Sequence, residues 1–173
     1  MPLADAHPVA QRPRRRHDGA VTEPILDETQ RAFLQEARRL VLVTIAPTGL
    51  PRPVPVCFAL APPPLDVLYT PLDGKPKRAD DPHDLARVRD VIARPRVALL
   101  ADRWDEDWSR LAWLRLEGDA RLLEPGAADA AEHETAATAL RERYPQYAGH
   151  ALEGRLIIRV SIRRTAGWGS LAT

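Results

Sequence analysis

The chain has 173 residues, 45% of them hydrophobic, enough to bury one core without disulfides or metal. Its 25 basic and 24 acidic residues nearly cancel and are spread along the chain, so no global field favours nucleic acid or an anionic membrane. A single cysteine, Cys57, excludes an internal disulfide and a cysteine-cluster metal site and fits a reducing cytoplasm; no apolar run nears the roughly 20 residues of a membrane span or the core of a secretory signal.

Residues 1–22 carry prolines, alanines and the cluster Arg12-Pro13-Arg14-Arg15-Arg16 without apolar periodicity, which predicts a disordered tail before an ordered domain over 23–173. The cluster reads as a solvated leader, with a nucleic-acid contact as the alternative, since Asp5, Asp18 and Glu23 lie close by in sequence. Asp27 is placed to cap a helix whose apolar positions Phe33, Leu34, Ala37 and Leu40 recur at helical spacing, with Arg38 and Arg39 at its negative end.

Val41, Val43 and Ile45 then alternate with Leu42 and Thr44, a turn falls at Thr48-Gly49, and Arg52, Val54, Val56, Phe58 and Leu60 share one face of a second run, giving a hairpin. Pro51, Pro53 and Pro55 take the opposite parity and cannot donate to a ladder, so this strand belongs at a sheet edge or a bulge, where a ligand can approach backbone. Leu65, Val67 and Tyr69 form a third strand, Pro82 to Ile92 a helix, and Val97 to Ala101 a fourth strand. Alternation is strongest from Ala112 to Leu122 and from Leu156 to Ile162, with an alanine-rich helix over Ala127 to Arg143 between them. Hairpin-like succession of six strands with about three helices predicts a mainly β fold, a small antiparallel barrel, and not a doubly wound parallel sheet.

Several chemistries lose their support. The chain has no Gly-x-Gly-x-x-Gly, no Gly-Lys-Ser or Gly-Lys-Thr phosphate loop, no Gly-x-Ser-x-Gly and no His-Glu-x-x-His. His83, His133 and His150 read as scattered surface residues, Cys57 as a small strand residue, and the acids from Asp102 to Asp107 as a turn studded with Trp104 and Trp108. Lys75, Lys77 and Arg78 stand apart: they lie between a strand and a helix expected to start near Asp81, where a phosphate would meet cations and a helix N-terminus, and Arg52 offers a further cation.

The segments Pro51 to Phe58, Leu68 to Lys77, Leu85 to Arg89 and Arg94 to Leu100 resemble, in that order, the pyridoxamine 5'-phosphate oxidase-like split-barrel superfamily. Asp105 to Arg115 looks like the actinobacterial deazaflavin-dependent oxidoreductase branch. The resemblance spans about Ile25 to Trp168 and implies a homodimer of six-stranded Greek-key split barrels binding coenzyme F420, or alternatively FMN, in grooves at the subunit interface. It further implies that Arg52, Val54, Pro55 and Val56 line the cofactor, that Lys75 and Lys77 with Arg78 hold its phosphate, and that Trp108 and Trp168 form the second subunit's wall. The activity implied is hydride transfer from reduced F420 to an unsaturated or conjugated small molecule in the cytoplasm, with no catalytic triad needed because the ring carries the chemistry. The alternatives are an FMN-dependent oxidase and a non-catalytic flavin- or haem-binding barrel. Ala79-Asp80-Asp81 departs from the resemblance by setting acids beside the basic loop.

Overall fold

Period-two alternation along the chain becomes one curled antiparallel sheet in the computed structural model, which describes residues 24–72, 81–126 and 128–172. Its strands are β1 (Leu40–Ile45), β2 (Pro51–Val56), β3 (Ala59–Leu60), β4 (Val67–Pro71), β5 (Arg96–Arg103), β6 (Ala112–Leu123) and β7 (Ile157–Gly169), and the helices are α1 (Glu28–Glu36), α2 (Ala86–Ala93) and α3 (Ala130–Arg143). The spatial order is β2-β1-β5-β6-β7-β4-β3. β2 and β3 sit at opposite ends of that order, yet only Cys57 and Phe58 join them. Three Cα steps span at most about 11 Å, so the sheet must curl until its two edges nearly meet. The result is a half-open barrel split at Cys57-Phe58.

The second apolar run is therefore two strands, and the sheet has seven strands where the periodicity predicts six. β2 is a terminal strand, as its prolines require. It nevertheless pairs with β1 over six consecutive positions, from Leu40 opposite Val56 to Ile45 opposite Pro51. Prolines at alternate positions leave a ladder intact when their nitrogens face the free edge, and such an edge also resists pairing with another chain. The β1–β2 turn closes through Gly49, whose φ of 86° suits glycine and whose N–H donates to the Ala46 carbonyl at 2.8 Å. At the other critical glycine, Gly118, a Cβ would lie 2.4 Å from the Ser161 carbonyl oxygen, where β6 and β7 shift register.

Asp27 caps α1 in a reciprocal box: its side chain accepts from the Gln30 N–H and Gln30 answers the Asp27 N–H. The helix stops at Glu36, earlier than its spacing suggests, and Arg38 and Arg39 lie beyond the cap. A distant base serves the carbonyl end instead, Arg143 of α3 donating to the Leu34 and Ala37 carbonyls. The second predicted helix resolves into a 3-10 turn, Pro82–Asp84, and then α2, separated by Leu85 in extended conformation. α3 starts at Ala130, later than the alanine run suggests.

Two cores flank the sheet. The larger fills the barrel with Leu40 and Leu42 of β1, Leu99 of β5, Leu114 and Leu116 of β6, Ile158 and Val160 of β7, and Val88 and Val91 of α2. The smaller lies under α3 and joins Ala136, Ala137 and Leu140 to Val67, Tyr69, Leu123 and Ile157. β4 is covered on both faces, so all five of its residues are buried.

Candidate functional site

β2 places Arg52, Val54 and Val56 toward the barrel interior and Pro51, Pro53 and Pro55 outward. Arg52 lies directly across from Thr44 of β1, and both reach one carboxylate, Asp90 on α2. Thr44 Oγ1 donates to Asp90 Oδ2 at 2.9 Å, and Arg52 Nη1 reaches Oδ1 and Oδ2 at 3.2 Å each. The Asp90 side chain is 1% exposed and that of Arg52 43%. Among the described residues no partner faces Arg52 Nε or Nη2, so the cation is anchored at one corner and offers its remaining donors outward. Such a group fits an anion of phosphate type.

The other residues expected in the site are distributed unevenly. Val54 is half-buried against the core; Val56 is 8% exposed and belongs to it, so it can meet a ligand only through its backbone. Pro55 is exposed on the opposite face. Lys75, Lys77 and Arg78 lie outside the described residues, as does the tail. The described residues on either side of the three cations are Leu72, just after β4, whose N–H donates to the Leu156 carbonyl at 2.9 Å, and Asp81, at the turn that leads into the helix bearing Asp90. Trp108, in a 3-10 turn before β6, is 74% exposed, and Trp168 on β7 is 45% exposed and faces Trp113 across the β6–β7 ladder. β7 is four interstrand steps from β2, roughly 19 Å along the sheet at about 4.8 Å per step.

The helix N-terminus expected near Asp81 is a single 3-10 turn, and Asp81 itself caps it, accepting from the His83 N–H at 2.8 Å. The His83 ring stands between two acids, Nδ1 3.1 Å from Asp81 and Nε2 3.0 Å from Glu124. The hydrogen bond with Glu124, then that with Asp81, raises the His83 pKa, and the hydrogen bonds from His83 lower that of Asp81. The acid that departs from the resemblance is thus already engaged. His133, expected at the surface, is buried: its Nε2–H donates to the Arg155 carbonyl at 2.7 Å and ties α3 to the start of β7. Cys57 is half-buried against the smaller core. Among the described residues no cluster of three or more His, Cys, Asp or Glu could hold a metal, and no helix is long and apolar enough to cross a membrane.

A second polar network is closed. Tyr69 Oη donates to Glu132 Oε1 at 3.1 Å, Arg159 Nε to the same oxygen at 2.6 Å, and Arg121 Nη2 to Oε2 at 2.6 Å, while Arg121 Nη1 reaches Asp129 at 2.8 Å. Burial works against ionisation of Glu132, but Arg159, the Tyr69 hydroxyl and Arg121 outweigh it and hold the carboxyl below its usual range. The cavities along α3, about 520 and 480 Å³, are open surface grooves away from Arg52.

The comparisons agree on one architecture. The family model described as pyridoxamine 5'-phosphate oxidase matches residues 26–169. A conserved hypothetical protein of Mycobacterium tuberculosis superposes with a TM-score of 0.65 at 19% identity, over 88% of this chain and 91% of that one. The haem storage protein HutZ of Vibrio cholerae gives 0.59 at 14%, over 80% and 90%. A protein described as an F420 reductase gives 0.53 at 20%, over 81% and 98%. No curated protein matches the chain.

Proposed function

The chain belongs to the pyridoxamine 5'-phosphate oxidase family, and from that premise we propose that it is an oxidoreductase transferring hydride from reduced coenzyme F420 to an unsaturated or conjugated small molecule, with FMN as the alternative cofactor. The observation that carries the reading is Arg52, a cation anchored on the barrel's edge strand with donors left for a phosphate. The bound ring supplies the hydride carrier; the protein holds it and keeps water away. Likeness to an F420 reductase supports the choice of F420. Lys75, Lys77 and Arg78 are taken as further phosphate ligands.

The working unit in this reading is a homodimer. Val41 lies beside Pro55 and Leu100, and Val43 beside Pro53 and Ala98, so prolines and half-buried aliphatic residues line the outer face of β2, β1 and β5. An apolar sheet face of this kind suits a second copy. In this reading a partner would bring its own copies of Trp108 and Trp168 toward a ligand at Arg52.

Titration of the protein with F420 and, separately, with FMN, followed by fluorescence quenching, tests the reading. Saturable binding of F420, and turnover of its reduced form with a panel of enones, is expected. Binding of neither cofactor overturns it. Haem binding without cofactor binding would support the non-catalytic alternative, toward which HutZ points, although the buried His133 is already committed to Arg155.

A further inference from the structure

We propose that Asp90 is the positioning residue of this site: it fixes Arg52 through Nη1 so that the Nε–Nη2 edge of the guanidinium is presented, ready-formed, to the cofactor's phosphate. The inference rests on the cofactor-binding reading above.

Asp90 is costly where it stands. A carboxylate 1% exposed has lost its water, and an unpaired one would cost several kcal/mol. The helix gains nothing from it. Asp90 lies in the C-terminal half of α2, where the helix dipole opposes an anion, and the first turn of α2 has no acid. Its partners account for it: Thr44 and Arg52 are cross-strand neighbours on the inner face of β1 and β2, so a single carboxylate secures both. Thr44 donates to Oδ2, and Arg52 Nη1 meets both oxygens of the same carboxylate.

Arg31, Arg94 and Arg121 spend more of the fork. Arg31 spends Nη1 on the Ala61 carbonyl and Nη2 on the Leu65 carbonyl and Asp66. Arg94 gives both terminal nitrogens to the Ala46 and Pro47 carbonyls, and Arg121 gives both to carboxylates. Among the described residues Arg52 commits Nη1 alone. Nε–H and the adjacent Nη2–H are parallel donors that match two oxygens of a phosphate, and fixing the fork beforehand removes side-chain entropy that binding would otherwise cost.

Affinities of FMN and riboflavin, and of F420 and its phosphate-free 5-deazaflavin chromophore, measured for wild type, Asp90→Asn, Arg52→Gln and the double variant, test this. Asp90→Asn should weaken the phosphorylated member of each pair about tenfold, the scale of one charge-assisted hydrogen bond, and leave the phosphate-free member within about twofold. In the Arg52→Gln background Asp90→Asn should have no further effect on binding. Equal loss of both members, unchanged affinity in a folded Asp90→Asn, or additive losses in the double variant would overturn the proposal. Should Asp90→Asn not fold, Arg52→Lys decides: it keeps the charge but lacks the fork, and full retention of phosphate preference overturns the proposal. Wild type that binds neither phosphorylated cofactor overturns the functional reading itself, and this one with it.

Discussion

Two helices are fastened to the same sheet by carboxylates, the half-buried Glu132 on α3 and the buried Asp90 on α2, and the fastenings differ in kind. On α3, Glu132 receives Tyr69, Arg159 and Arg121, and Arg121 is shared with Asp129; each group in the network answers another. On α2, Asp90 receives Thr44 and one corner of Arg52, whose Nε and Nη2 meet no partner among the described residues. A network that ties down two arginines at two nitrogens each mainly stabilises, whereas a cation held at one corner stabilises less and is readier to bind. Arg121 and Arg159 each engage two nitrogens among the described residues, and Arg52 engages one.

The largest effect comes from removing the residue where the two regions meet. Phe58 is fully buried at the split; the Arg143 guanidinium lies 4.5 Å from its ring centroid, and its N–H donates to the Tyr144 hydroxyl at 3.0 Å. Phe58→Ala should cost about 3 to 5 kcal/mol in denaturant unfolding, as large aromatic deletions in packed cores do. A loss under about 1 kcal/mol would mean that the split is not a packed junction.

Next comes the contrast itself. Glu132→Gln should lower stability by about 1 to 2 kcal/mol, because three donors lose their charged acceptor, while cofactor affinity stays as in wild type. Asp90→Asn should show the opposite balance, with affinity falling more than stability. If both variants lose affinity alike, the two fastenings are not different in kind.

The closed network also has an alkaline signature. Burial, and then the Glu132 charge and hydrogen bond, raise the Tyr69 pKa from 10.0 to about 12. The folded-state value lies above the unfolded one, so this contribution is fully present below pH 10 and is lost as pH rises through about 12. The melting temperature of wild type should therefore fall more steeply across that window than that of Tyr69→Phe. Parallel curves would place the alkaline sensitivity elsewhere.

These contrasts mark where sequence reasoning reaches. Alternation identified the inward residues of β6 and β7, and the Asp27–Gln30 pair and the Gly49 turn were readable because each is completed within a few residues. Period two describes a strand with one wet face. It breaks where α3 covers the second face, and there Ile157 and Ile158 are both buried, as are Val67 through Pro71. The same cover hides His133. The end of α1 was misplaced because its carbonyls are served by Arg143 from the far side of the sequence. In the site, Arg52 was legible as a cation on a proline-gapped strand. Asp90 was not: a lone acid in a short amphipathic helix looks solvated, and only the β1–β2 register shows that it lies under two partners.

The smallest effect tests whether the turn before α2 belongs to the open region. His83 is exposed between Glu124 and Asp81, and those acids raise its pKa. A raised histidine contributes stability that is present below its unfolded value of 6.5 and is lost as pH rises through the folded value, so the bridge weakens around and above neutrality. Exposed pairs of this kind contribute little, and the melting temperatures of wild type and His83→Gln should differ slightly at low pH and converge as pH rises. Arg94 holds α2 independently through the Ala46 and Pro47 carbonyls, so loosening the turn should not move Asp90. FMN affinity measured side by side should then be equal in the two proteins at every pH, with the titration of the phosphate itself cancelling in the comparison. A difference in affinity that follows the histidine titration would make His83 part of the open region and extend the site from the Arg52 anchor to the start of the turn.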